Sequence, residues 1–301
     1  MADPRISKNA RHWRDRREGR IPDSWPLTAF FEAPSLLTAD GAHHTRLRVP
    51  VQRAFTPARV RSLRPRIESI VDTLLDRIDT SASVDLKQAF SLPLPLTVIC
   101  ELLGVPEDPA MREHLHQLSM NVVDSAATPE QVQNTWQQFP RALQDLVEAK
   151  RSHPGDDLTS DLITAKDDGR LTDAEVTATL IVNILGGHET TVNLLNSAVR
   201  ALLEHPDQLR HLHDGQATWR QAIAETLRWD PPIRLTMPRF TTADFHIDGT
   251  VIPEGALIVI PITTVGRCPH AHHALSLLRF DGHHRCGGQA ARTVSYSAGV
   301  R

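Results

Sequence analysis

One run of sequence restricts the fold more than any other. Thr172-Asp173-Ala174-Glu175 has the spacing of a capping box, a hydroxyl followed three places later by a carboxylate. It predicts the start of a helix that continues to about Leu203, before His205-Pro206. Roughly thirty residues at ~1.5 Å each give about 45 Å, enough to cross a whole domain. Both flanks are apolar nearly all round, as in a helix buried in a core. The centre is Gly186-Gly187-His188-Glu189-Thr190-Thr191. Each glycine costs about 1 kcal/mol in a helix interior relative to Ala. A buried carboxylate or hydroxyl costs more unless it is partnered. The poorest helix formers and the costliest polar groups thus occupy the middle of the most buried helix, where a site is expected. Two glycines remove side chains, so something bulky and flat can lie against the backbone. Glu189 then supplies a proton carrier and Thr190 a hydroxyl. The alternative is a kinked helix whose polar groups are satisfied by neighbours and water.

The rest of the chain reads as helix after helix, then a short β section, then an irregular end. Residues 1–37 carry Trp13, Trp25, Phe30 and Phe31 among prolines and charges, and read as loops with a short helix. A helix is expected near His43–Phe55, kinked or shortened by Pro50. Thr56-Pro57 looks like an N-cap followed by a first-position proline. The helix after it places Ile67, Ile70, Val71, Leu74, Leu75 and Ile78 on one face. Further helices fit around Leu94–Leu103, Glu130–Arg151 and Thr218–Trp229. Residues 236–263, with Asp248-Gly249 and Glu254-Gly255, read as short hairpin strands. The class is mainly α with a small β part. In 301 residues, 40% of them hydrophobic, there is material for a large buried core. A net charge of −3 excludes a global basic field for nucleic acid. The longest apolar run, Leu180–Leu185, is broken by Asn183 and too short to span a bilayer. The polar first twenty residues lack the apolar segment of a secretory signal. Three cysteines make no disulfide framework, so a reducing cytoplasm is expected.

Gly186-Gly187-His188-Glu189-Thr190-Thr191 resembles the (A/G)-G-x-(D/E)-T-T motif of the cytochrome P450 superfamily, the haem-thiolate monooxygenases. The likeness runs from about Asp3 to Pro269, returns at Gly282–Arg292, and is nearest to the bacterial soluble class. It implies a cytochrome P450 fold and haem b. It also implies insertion of one oxygen atom from dioxygen into a small organic substrate. Glu189 and Thr190 would help deliver protons as the O–O bond breaks. Thr191 would pack or cap locally, and His188 falls at the variable position.

Other motifs stand in the family's order. Glu225-Thr226-Leu227-Arg228 matches E-x-x-R, an i,i+3 pair on one helical face, carried over as structural. Asp40 to Arg48 resembles D-x-x-x-H-x-x-x-R, with His44 and Arg48 pointing the same way from one helix. Two donors there suit an anion, which the family supplies as a haem propionate. Arg239 matches another propionate-binding arginine. Alone, each of these bases reads as an ordinary solvated side chain. The arginines of Arg59–Arg66 could dock an acidic electron carrier or form a plain solvated face.

A thiolate on iron pushes electron density that favours O–O cleavage. The family places it in F-x-x-G-x-(H/R)-x-C-x-G, and Gly282, His284, Cys286 and Gly288 fall in register. By resemblance Cys286 is the iron ligand and His284 meets a propionate. The aromatic position falls on Arg279, with Phe280 one place late. A competing register at Tyr296–Arg301 lacks a cysteine. Asp281 joins the loop directly, where the family has a longer meander, so a short internal deletion is expected. The chain also starts inside the family pattern and stops soon after Arg292. The expectation is therefore a single incomplete cytochrome P450 domain over residues 1–301, irregular from 264, truncated at both ends and impaired. Two alternatives stay open: a haem-free remnant that binds apolar ligands, and a zinc protein using Cys268, His272, His283 and Cys286. Cys100, in an apolar helix, reads as a small core residue. The intact enzyme would draw electrons from a reductase through a ferredoxin-type carrier. No dinucleotide fingerprint occurs here, so the reductase would be a separate protein. A cytoplasmic monomer without nucleic-acid or membrane partners is expected.

Overall fold

The computed structural model describes residues 3–268, apart from 24, 26 and 125, together with Leu278. The chain divides into two compact units, Ser7–Val192 and Asn193–Arg301 with Met1–Ile6. The first is helical. After a 3₁₀ turn at Ala10–His12 it contains α1 (Arg14–Arg17), α2 (Thr28–Glu32), α3 (Gly41–Ala54) and α4 (Pro57–Leu75). A π-helical turn at Lys87–Ser91 precedes α5 (Pro93–Leu103), α6 (Pro109–Val123), α7 (Pro129–Ser152) and α8 (Leu158–Asp167). The 32-residue α9 (Asp173–Glu204) begins in this unit and is about 48 Å long.

Sequence chemistry accounts for these boundaries. Thr56 caps α4 by accepting from the Arg59 amide, with Pro57 in the first turn. Thr128 and Gln131 form a reciprocal capping box on α7. That helix buries Val132, Thr135, Phe139, Ala142, Leu143 and Leu146, a three-four spacing that defines one face. Thr172 and Glu175 make the expected box on α9: the Glu175 amide donates to Thr172 Oγ1 at 3.2 Å, and the Thr172 amide to Glu175 Oε2 at 2.9 Å. The core gathers Leu47, Leu103, Leu115, Phe139, Leu158, Leu162, Leu180 and Ile184, all essentially inaccessible. Each such side chain contributes roughly 1.5–3 kcal/mol on burial.

The second unit holds α10 (Pro206–His213), α11 (Trp219–Trp229) and α12 (Ile262–Gly266). Strands β1 (Ile6–Ser7), β2 (Arg239–Thr241) and β5 (Leu257–Ile258) form one small sheet in the order β1-β2-β5. Arg239 pairs with Ile258 and Phe240 with Leu257, antiparallel. The hairpin β3 (Phe245–Ile247) and β4 (Thr250–Ile252) turns on Asp248 and Gly249, both at positive φ, the requirement of a tight two-residue loop. Its core is Ala201, Leu212, Ala217, Ala222 and Leu278.

Several expectations need correcting. Pro50 lies inside α3, buried, and does not end it. Leu75 closes α4 at 49% exposure instead of joining the buried face of Ile70 and Leu74. Residues 1–37 hold two short helices rather than one. Helices α6, α8 and α10 escape the apolar periodicity. In α6 the inward face alternates Leu115 and Leu118 with buried His116 and Ser119, which blurs the pattern. No helix among the described residues is long and apolar enough to cross a membrane.

Candidate active site

Helix α9 runs unbroken through its glycine pair. The threonines that follow it are satisfied by the helix itself. Thr190 Oγ1 donates to the Gly186 carbonyl at 2.5 Å and Thr191 Oγ1 to the Gly187 carbonyl at 3.1 Å. Upstream, Thr179 Oγ1 donates to Glu175 O at 2.6 Å and Asn183 Nδ2 to Thr179 O at 2.8 Å. All four bonds reach back one turn, a habit that tolerates hydroxyls in a helix and bends it. The two glycines differ. A Cβ at Gly186 would meet nothing within 4 Å. A Cβ at Gly187 would lie 2.8 Å from Ile99 Cδ1 and 3.2 Å from its Cγ1. Gly187 therefore lets α5 approach, and the bare backbone face predicted for both belongs to Gly186. Thr190 is one turn on from Gly186, on the same stripe, and half-buried, as is Glu189.

His188 was expected to do nothing, yet it is fully buried. Its Nδ1 is 3.2 Å from Ser119 Oγ, and its ring meets His116 edge-on with centroids 5.1 Å apart. Burial pushes its pKa down to about 4, assisted by the charge of His116 and opposed by the Leu92 backbone. The sequence signal was present, a histidine on a helix face that is otherwise apolar, but its partner lies 72 residues away on α6.

On α3, half-buried His44 and exposed Arg48 make no side-chain hydrogen bond or ion pair among the described residues. Burial lowers the His44 pKa, and the charges of Lys8 and Arg48 lower it further against the pull of Asp40. The Arg48 guanidinium and a ring N–H of neutral His44 are together two donors for an anion. Arg46, also on α3, is committed elsewhere: its guanidinium grips Glu175 at 2.5 and 2.9 Å. That grip, more than burial opposes it, holds the Glu175 pKa down at about 2. Three of the four arginines of α4 are also engaged, while Arg61 makes no ion pair among the described residues. Arg59 pairs with Asp156 and Asp161, Arg64 with Glu68, and Arg66 with Glu101 and Glu107. That stretch is largely neutralised internally, with Arg61 left over.

In the second unit, Arg228 binds Glu225 through two bonds of 2.6 and 2.7 Å, with side chains 9% and 5% exposed. Its third nitrogen donates to Gly266 O at 2.9 Å. A Cβ on Gly266 would come within 2.3 Å of the Arg228 carbonyl, so the approach of α12 to α11 needs glycine there. Arg239 Nη1 donates to the carbonyls of Met237 and Pro238. Gly282, His284, Cys286 and Gly288 lie outside the described residues, as do His272 and His283. Cys268 is a free, partly exposed thiol, and no group of three metal-ligating side chains occurs among the described residues. Cys100 is buried, and burial raises its thiol to about 11, as suits a core residue.

Comparison with known proteins decides the family. The cytochrome P450 family profile matches residues 110–274. The 2-hydroxy-5-methyl-1-naphthoate 7-hydroxylase of Streptomyces carzinostaticus is 38% identical over 310 aligned positions, which cover 100% of this chain and 74% of the relative. The chain belongs to the cytochrome P450 family. The vitamin D(3) 25-hydroxylase of Pseudonocardia autotrophica is 37% identical, with 89% of this chain and 64% of that protein covered. Among solved structures, testosterone-bound CYP154C4 from Streptomyces sp. ATCC 11861 superposes with a TM-score of 0.89 at 36% identity, covering 94% of this chain and 71% of that one. The chain thus spans roughly two thirds to three quarters of these P450 relatives. The profile match stops twelve residues before Cys286.

The P450 family implies haem, and the described residues fit it at two places. Gly186 presents a backbone face that a Cβ would not find occupied, as a flat macrocycle requires. Arg48 offers a guanidinium in no ion pair among the described residues, one helical turn from the His44 imidazole.

Proposed function

We propose that this chain carries the haem-binding and oxygen-activating residues of a P450 monooxygenase acting on a small organic substrate. Bound haem supplies the activation of dioxygen from which one oxygen atom enters the substrate. The chain's own residues hold and protonate. Cys286 would give the thiolate, and His44, Arg48, Arg239 and His284 would meet the propionates, with Gly282 and Gly288 shaping the loop. Gly186 keeps the helix surface flat. Thr190 donates its own proton back to Gly186 O, so the lone pairs of Oγ1 remain to accept from water or substrate. Glu189, beside it, is the group that can carry a proton to that point. Glu225 and Arg228 touch neither haem nor substrate and lock α11 to α12.

The observation that carries this reading is the open backbone face at Gly186, one turn from a hydroxyl already oriented by that same residue's carbonyl. The spacing around Cys286 bears on strength. Asp281 abuts the loop, without the meander that would brace it, so haem binding is weak and monooxygenation slight. Electrons would come through a ferredoxin-type carrier and its separate reductase, in the cytoplasm. Titrating haem into the purified chain and following the Soret absorbance tests the binding half. Saturable uptake that falls at least tenfold in Arg48→Ala is expected, and uptake indifferent to that change would overturn it. Product analysis with a ferredoxin and its reductase tests the other half: rapid turnover would contradict the impaired reading.

A further inference from the structure

The three carboxylates buried among the described residues each face a cation. Glu175 meets Arg46, Asp157 meets Lys150 at 2.8 Å, and Glu225 meets Arg228. The two buried imidazoles face each other instead. His188 of α9 and His116 of α6, both in the first unit, are 0% and 7% exposed, with their rings edge-on. The charge that acts on His188 is the like charge of His116, and no carboxylate among the described residues offsets it. From the N-cap of α5 the Leu92 carbonyl favours a proton on the ring, and from α6 the neutral hydroxyl of Ser119 meets Nδ1. Nε2 of His188 and Nδ1 of His116 are buried and have no hydrogen-bond partner among the described residues.

This pair stands where α6 meets α9. The residues that α6 buries are Leu115, His116, Leu118 and Ser119, so half of them are polar. Helix α7 buries Val132, Phe139, Ala142, Leu143 and Leu146 with a single threonine, a face indifferent to protons. The hold of α6 on α9 therefore depends on neutral rings. An imidazolium buried without a counter-charge is costly, and separating the helices lets water solvate it. A histidine with a pKa of about 4 when closed and an ordinary 6.5 when open favours the open form about thirtyfold more at pH 5 than at pH 7.5. The closed form is fully favoured above pH 6.5 and is lost progressively as pH falls toward 4.

We propose that His188 and His116 form an acid-sensitive latch, in which proton uptake by His188 releases α6 from α9 while the rest of the first unit stays folded. Release bares Leu115 and Leu118 and loosens the turn of α9 that carries Glu189 and Thr190. The latch operates in the haem-free chain and does not rest on the monooxygenase reading.

The test is hydrogen–deuterium exchange of the full haem-free chain at pH 7.5 and pH 5, corrected for the intrinsic pH dependence of exchange. Opening of the α6 amides is expected to rise about thirtyfold, and that of the α8 amides by less than about threefold. His188→Gln, or His188→Asn should the first variant fold poorly, brings the α6 response below about threefold. His116→Phe keeps a ring beside His188 but removes the like charge, and gives an intermediate response, because burial is the larger cause of the depressed pKa. Equal acceleration of α6 and α8 in the wild-type chain means that the whole unit unfolds, and overturns the proposal. So does unchanged or slower α6 exchange at pH 5, the result of a proton shared between the two rings. A full α6 response in His188→Gln overturns it as well.

Discussion

Alanine at Gly186 and alanine at Gly187 add the same methyl group to neighbouring positions of one helix, and the structure predicts opposite results. Replacing a glycine in a helix interior gains about 1 kcal/mol from propensity alone. At Gly186 nothing lies within 4 Å of the new carbon, so the haem-free chain keeps that gain. For a unit of this size the expected rise in Tm is about 2–4 °C. At Gly187 the new carbon would come 2.8 Å from Ile99 Cδ1, and Ile99 is 5% exposed with little room to turn. Overpacking of that kind costs roughly 1–3 kcal/mol, which cancels or exceeds the propensity gain. Thermal or urea unfolding of the two haem-free variants should therefore separate them by about 1–3 kcal/mol. A haem titration completes the test. Gly186→Leu, larger than the alanine that the motif also admits at this position, should bind haem at least tenfold more weakly, because its side chain would stand where the macrocycle lies. Two variants of equal stability would refute the packing argument. Unchanged haem affinity in Gly186→Leu would refute the placement of the open face.

Two titrations give separable stability changes with pH. Glu175 has its pKa near 2 in the folded chain against an ordinary 4.5, so its stabilisation is complete above pH 4.5 and vanishes as pH falls toward 2. The shift corresponds to about 3 kcal/mol at most, less after screening at the half-exposed Arg46; Glu175→Gln should lose it at pH 7 and flatten urea midpoints between pH 4.5 and 2. His188 is depressed toward 4, so the unfolded chain takes up its proton first, and stability falls as pH drops from 6.5 to 4. His188→Gln should remove that slope, and an unaltered slope would show that another group titrates there. Arg228→Lys keeps the charge but replaces a two-pronged grip on Glu225 and a bond to Gly266 with a single ammonium, and should destabilise the second unit by about 1–3 kcal/mol in denaturant unfolding.

The long helix was readable because Thr172 and Glu175 form a local cap and its apolar residues recur at helical spacing. The hairpin at Asp248-Gly249 was equally local, since positive φ at both positions leaves a short choice of residues. What stayed hidden depends on partners distant in sequence. Gly186 and Gly187 look alike on paper, and only Ile99, 88 residues earlier, distinguishes them. His188 read as a variable position until His116 and Ser119 were found against it. Arg59 and Arg66 of α4 looked free because their carboxylates at Asp156, Asp161, Glu101 and Glu107 arrive from other segments. Phe30 and Trp136 gave no hint of each other across 106 residues, yet their ring centroids stand 6.1 Å apart.

The carbon monoxide difference spectrum of the reduced, haem-reconstituted full chain bears most directly on the joint role of the α9 centre and Cys286. A red-shifted Soret band of thiolate type in the wild-type chain, weakened in Gly186→Leu and gone in Cys286→Ser, is the predicted result. Absence of that band from the wild-type chain, or its survival in Cys286→Ser, would contradict the account.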